Sequence, residues 1–416
     1  MGRIAFARAA LLVIGILAPD TLASPRPPEP KPGIKTDRVT YLPVPAVKLP
    51  KAGETFVDPT FGTEILRVTD AADGAENQNA YSYWPSFNKD ATGFFICSGG
   101  RAMLYRFDPS RFRIVGKEPL FREKPPEGGW PGWEDAIWSG ASPDLLFCHS
   151  GLKLASYNVQ TRQYTLVRDF TAELSTGHLR QMSKSLDDRV FGFTRQDAKY
   201  AVVGYVVWDR QADRLLLNQQ TRQLDEIQVD KSGRFCVIKT GRGGKGVVEV
   251  RVADLRTGKV EDLVDNEPDY APGHSDNGHG VVVGADNWKN RITFRRLDAP
   301  HQVRTVLDLG NDWSQDYHVS LLADDERWAL VSFYVGNKLR SSGVFQNEII
   351  QVATDGSQRV RRLAHHRSVV KEYWDSPRAN ISRDGRFVIF TSSVEGRGQR
   401  DVFILKVPPP DRRGSP

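Results

Sequence analysis

The chain has 416 residues, a formal net charge of +6, eight histidines and three cysteines. Both signs of charge are mixed along it, with no lysine–arginine block and no nucleic-acid-binding motif. This argues against a DNA or RNA partner and makes an acidic glycan the partner that the excess positive charge would suit.

The first residues bear on compartment. Arg3 and Arg8 flank the start of an unbroken apolar run, residues 9–18, and Thr21-Leu22-Ala23 offers small residues at the two positions a signal peptidase reads. The run is about half of the ~20 residues a membrane-spanning helix needs. Residues 1–23 therefore read as a cleaved signal peptide, no later segment is apolar enough to span a bilayer, and a periplasmic or secreted monomer is expected. Residues 24–52 are rich in proline, which removes backbone donors and favours extended chain, so they are expected as a semi-rigid linker. Residues 53–407 form the folded unit, and residues 408–416, opening on three prolines, a disordered tail.

Within the folded unit one pattern recurs. A short strand leads into a turn of Asp, Ser or Gly, then a strongly apolar strand, then further strands. The clearest copy is residues 379–405, with Ser382-Arg383-Asp384-Gly385 before Phe387-Val388-Ile389-Phe390. Upstream turns fall near residues 90, 142, 187, 232, 278 and 325, mostly ~45–50 apart, the span of one four-stranded propeller blade. The prediction is an all-β, seven-bladed β-propeller of four-stranded antiparallel blades. Six blades with an inserted module is the rival count. Cys97, Cys148 and Cys236 fall in apolar strands of three different blades. That is too far apart for a disulfide, so buried free thiols are expected.

The last copy resembles the WD40-like repeat of periplasmic propellers, whose consensus is a Ser-x-Asp-Gly turn before an apolar strand. Three segments together resemble the propeller group that contains oligogalacturonate lyases, an architecture shared with ulvan-type lyases. They are Asp58-Pro59-x-Phe61-Gly62-Thr63, Gly273-His274-Ser275-Asp276-Asn277-Gly278, and Tyr373-Trp374 running on to Ser382. The resemblance implies a uronate-active lyase with a Mn-type metal held by histidines from several blades. The chain departs from it in one place: a His-x-His before the last turn is replaced by Ser376-Pro377-Arg378.

The first strand of each blade begins at one rim of the central channel, so equivalent positions form a ring. Aligned on their turns, the copies place Trp84, Asp135, His178 with Arg180, Glu226, His274, His318 and Arg378 near it. Convergent polar groups in a funnel are the default expectation for a binding site. In a β-elimination, Arg378, Arg180 or a metal would neutralise a uronate carboxylate. His178 or His274 would remove the C5 proton, and Tyr317 would act as acid. His274 and His318, with Glu226, are the candidate ligands for a divalent ion such as Mn or Ca. A hydrolase using Glu226 and Asp135 is a second enzymatic reading. The other class is a non-catalytic glycan- or protein-binding propeller, in which Trp130 and Trp133 of an aromatic loop supply stacking surface.

Overall fold

The computed structural model describes residues 34–123, 136–240, 250–263, 272–286, 289–335, 343–394 and 398–409. Seven antiparallel sheets succeed one another along the chain. Blades one to six span residues 77–119, 136–169, 178–220, 226–262, 272–308 and 316–365, each with four strands in simple meander order. The seventh combines Asn380–Ile381, Phe387–Ser392 and Asp401–Lys406 with two strands from the start of the folded unit, Glu64–Arg67 and Thr55–Val57. The chain is a seven-bladed β-propeller.

Strand character follows position in the blade. Second strands, and several third strands, are covered on both faces by neighbouring blades and are largely apolar. Phe387–Ser392 and Glu348–Ala353 are buried at every residue, and Phe235–Lys239 likewise. Outermost strands alternate instead, as in Arg113–Pro119, where every second residue is exposed. The turns behind the repeat are built alike. Ser382 Oγ donates to Asp384 Oδ1 (2.6 Å) and accepts from Phe387 N (3.0 Å). In blade three Ser185 Oγ donates to Asp187 Oδ1 (2.5 Å) and accepts from Val190 N (2.9 Å). Short polar side chains thus close the turn on the backbone and launch the apolar strand.

The ring is closed by pairing Ile65 with Leu405, Leu66 with Ile404 and Arg67 with Phe403. An ion pair of 2.5 Å between Arg67 and the buried Asp401 fastens the same seam. Part of the proline-rich stretch expected as a linker is docked. Lys35 bridges to Arg362, and the fully buried Arg362 guanidinium bonds the Val39 carbonyl (2.6 Å), Asp37 (3.0 Å) and Glu348 (2.5 Å). A buried guanidinium requires such acceptors, and the strap supplies two of them. All three cysteines are buried free thiols. Among the described residues no helix is long and apolar enough to cross a membrane.

One irregularity shapes the channel. In blade one Asn79 pairs with Ile96 and Phe87 bridges Phe94, so residues 80–86 occupy an interval that Phe95 alone spans on the partner strand. This excursion crosses the central channel. Asn380 pins it, its Nδ2 lying 3.1 Å from the Ala80 carbonyl and 3.2 Å from the Trp84 carbonyl.

Candidate active site in the central channel

The excursion carries Tyr81, Tyr83 and Trp84 to groups of four other blades. Tyr83 donates to Glu226 Oε2 of blade four (2.5 Å), and the Trp84 indole N–H donates to the Met182 carbonyl of blade three (3.0 Å). The Tyr81 hydroxyl lies 3.1 Å from His274 Nδ1 of blade five and accepts from the Tyr373 hydroxyl (2.6 Å), which precedes blade seven. The Tyr81 ring meets His318 of blade six edge-on at 5.2 Å. His274 and His318 are themselves 4.3 Å apart between ring centroids, and Tyr334 stacks on the far side of His318 at 5.3 Å.

Charge in this cluster is unevenly satisfied. Glu226 is fully engaged: Lys239 Nζ at 2.7 Å and Gln228 Nε2 at 3.2 Å join Tyr83 on it. Arg378 is 0% exposed, sits in left-handed backbone (φ +40°) and lies 4.7 Å over the Trp374 ring. Its guanidinium donates to the Trp374 carbonyl (2.9 Å) and Gln78 Oε1 (3.2 Å), yet one terminal nitrogen finds no partner among the described residues. Neither ring nitrogen of the fully buried His318 finds one either. A buried cation edge and an imidazole without hydrogen-bond partners among the described residues are unusual in a protein interior.

Burial sets the protonation states. It pushes the His318 imidazole well below its usual range, with His274 and Arg378 nearby adding to the effect. His274 is also lowered, chiefly by burial, against the opposing pull of Asp316. Both are therefore neutral near pH 7. Tyr81 and Tyr83 are pushed well above the ordinary phenol range by burial, whereas Arg378, lowered to about 10, keeps its charge. Tyr373 is raised less, because its bond to Tyr81 and the Arg378 charge oppose burial, and at 47% exposure it faces solvent.

The expected ring is only partly assembled. Glu226, His274, His318 and Arg378 converge, and Trp84 forms part of the plug beneath them. His178 does not join them: it stacks on Tyr200, 65% exposed, with ring centroids 4.5 Å apart. The cause is a bulge. Register in blade three shifts between Arg180 and Ser183, with Gln181 at φ +48°, so positions counted back from the turn are offset by one residue there. Tyr317 is corrected too. Adjacent strand residues face opposite ways, so beside an inward His318 its ring packs on Phe333 (5.2 Å) and its hydroxyl reaches the Arg291 carbonyl (3.3 Å). Asp135, Trp130 and Trp133 lie outside the described residues. Tyr81, Tyr83, Tyr334, Tyr373 and Lys239 were not among the expected site residues; the Tyr81-Ser82-Tyr83-Trp84 run just ahead of the first turn and the Tyr373-Trp374 pair were the visible signs of three of them.

The donors do not fit a divalent metal. Glu226 is spent on Lys239 and Tyr83, His274 Nδ1 on Tyr81, and a guanidinium stands where a further ligand would be needed. Among the described residues no three His, Cys, Asp or Glu side chains are placed to share an ion.

Comparison with solved structures places an oligogalacturonate lyase of Vibrio parahaemolyticus alongside this chain. The TM-score is 0.63 at 13% identity, covering 85% of this chain and 96% of that one. The likeness is one of fold. The β-propeller domain of Cps50 from Myceliophteria thermophila aligns with a TM-score of 0.46 at 12% identity, over 80% of this chain and 99% of that one. The propeller domain of a protease from Pyrococcus furiosus aligns at 0.45 and 8%, over 78% and 93%. No protein-family model matches the sequence, and no curated protein resembles it significantly.

Proposed function

We propose that this protein is an exported propeller that cleaves an acidic, uronate-containing oligo- or polysaccharide by β-elimination at the channel mouth. The observation that carries the reading is the buried Arg378 guanidinium, with one nitrogen unpartnered among the described residues, beside neutral imidazoles. A uronate carboxylate paired with that nitrogen would have its charge offset, which acidifies the neighbouring C5 proton and stabilises the enolate as it forms. Tyr373 is the exposed end of a hydrogen-bonded line through Tyr81 to His274 Nδ1. The C5 proton passes to the Tyr373 oxygen as that hydroxyl's proton moves to Tyr81 and the Tyr81 proton moves to His274. The C5 electron pair forms the C4–C5 double bond and expels the 4-linked sugar oxygen. The imidazolium then returns a proton along the same line to the leaving oxygen. The likeness to the lyase and the chemistry of Arg378 both support this reading; the absence of the expected His-x-His, with Arg378 in its place, supports a carboxylate neutralised by guanidinium.

The test is ultraviolet absorbance of unsaturated product from pectic, alginate and glucuronan polymers, with and without chelator. Product that survives chelation and disappears in Tyr373→Phe and Arg378→Met is expected. No product from any uronate polymer would replace this reading with a non-catalytic glycan- or protein-binding propeller. Export, supported by the basic start and apolar run of residues 1–23, is tested by sequencing the N-terminus of protein from the periplasm or medium, with Ser24 expected first.

A further inference from the structure

The excursion of residues 80–86 divides the channel, and on the side of the inter-strand turns it leaves a second, partly open cavity of about 100 Å³. Four cations line it, Lys89, Lys184, Lys231 and Arg383, against the single carboxylate of Asp276. Three of these cations are held from outside the cavity. Asp188 fixes Lys184 (2.5 Å), Glu326 fixes Lys231 (3.0 Å) and Asp324 fixes Arg383 (3.1 Å). Their positions are therefore preset and their charges largely offset, which leaves Lys89, bonded to the Ala141 carbonyl (2.9 Å), as the lining cation with no carboxylate beside it among the described residues.

The wall also carries unsatisfied acceptors. Gln228 and Asn277, each 5% exposed, present amide oxygens with no hydrogen-bond partner among the described residues. Their orientation is fixed, because the Gln228 nitrogen donates to Glu226 (3.2 Å) and the Asn277 nitrogen to the Gln228 carbonyl (3.3 Å). Orphaned buried acceptors call for donors. Trp84 and Trp138 complete the wall; their N–H groups are taken by the Met182 and Ser86 carbonyls (3.0 and 2.9 Å), so carbon surface faces the cavity.

Cations, hydroxyl-seeking oxygens and indole carbon in one small chamber match a ligand that has a carboxylate, hydroxyls and an apolar ring face. We propose that this cavity is a second binding site, distinct from the channel mouth around His274, for a single hexuronic acid or similar small polyhydroxy carboxylate. Tyr83 and Gln228 line the chamber while both bond Glu226, so the two ends of the channel share a wall.

Titration calorimetry of the mature chain with galacturonate and glucuronate, against neutral galactose and glucose, tests the proposal. The uronates should bind at least about tenfold more tightly than the neutral sugars, as a charge-assisted contact implies. The surface change Lys89→Ala should weaken uronate binding several-fold with an unchanged thermal midpoint, and Arg383→Ala, which also releases Asp324 and the Gly140 carbonyl, should weaken it several-fold at a lower midpoint, while His274→Ala leaves it intact. Absence of uronate binding, equal affinity for the neutral sugars, or loss in His274→Ala but not in Arg383→Ala or Lys89→Ala would each overturn it. The last outcome would place the uronate at the opposite mouth and leave the lyase reading standing.

Discussion

Replacing His366 with glutamine should flatten the acid limb of the stability curve. His366 is buried beside blade six; its Nε2–H donates to the Phe333 carbonyl at 2.7 Å while its Nδ1 accepts from Ser368 N at 3.0 Å. Both ring nitrogens are thereby committed to the neutral tautomer, and a second proton on Nδ1 would meet a backbone N–H. Burial pushes the group down to about 3 from 6.5, despite the favourable bond to Phe333. The folded pKa lies below the unfolded one, so this stabilisation is complete above about pH 6.5 and is lost as pH falls toward 3. At about 1.4 kcal/mol per unit, integration gives a loss of about 2 kcal/mol between pH 7 and pH 5. Glutamine keeps a donor for Phe333 but leaves Ser368 N unpaired, so the variant should be less stable at pH 7 by about 1–2 kcal/mol and should lose correspondingly less on acidification. Urea unfolding of both proteins across that range reads the difference directly. Parallel curves, with no narrowing of the gap toward pH 5, would refute the assignment of His366 as a neutral structural imidazole.

Asp276 has the opposite sign: burial raises its carboxyl from 3.8 to about 6, so it costs stability as pH rises through that interval. Asp276→Asn removes that penalty but supplies one acceptor oxygen where the carboxylate supplies two, so either Leu321 N or Asn277 N loses its partner; a net gain of about 1 kcal/mol is expected at pH 7 and none at pH 3.5, read as the urea midpoint at both pH values. Gly140→Ala would place a Cβ 1.9 Å from the Leu186 carbonyl oxygen, forcing blades two and three apart, and should cost about 3 kcal/mol in the same assay. Tyr83→Phe leaves Glu226 with Lys239 and Gln228 but removes its shortest bond, so uronate turnover should fall more than the about 1 kcal/mol expected in stability, read by initial rates beside unfolding curves.

The fold was legible because its signal is local and repeated. All seven turn positions fall between the first and second strands of a blade, and the apolar runs that follow them are the buried second strands. The last blade was only half legible: Glu64–Arg67 carries no mark that its partner lies at Phe403–Leu405, since register across such a separation is set by tertiary packing. Of the site, Glu226, His274, His318 and Arg378 were found by counting back from turns, which works while a strand is regular. Counting failed at the Gln181 bulge and could not see that residues 80–86 leave their strand to cross the channel. Tyr317 was separable on alternation alone, since it and His318 are neighbours in one strand.

The seam at Ile65–Leu405 has a consequence for how the molecule is made. Blade seven stays two strands short until residues from both ends of the folded unit meet, so a ribosome-bound or partly threaded chain carries six finished blades and an unmated edge at Asp401–Lys406 or at Glu64–Arg67. Such a chain is a template for pairing with another copy of itself. The time between emergence of Glu64 and arrival of Lys406 is thus the interval in which yield is decided, and slowing synthesis late in the message should favour aggregates over monomer.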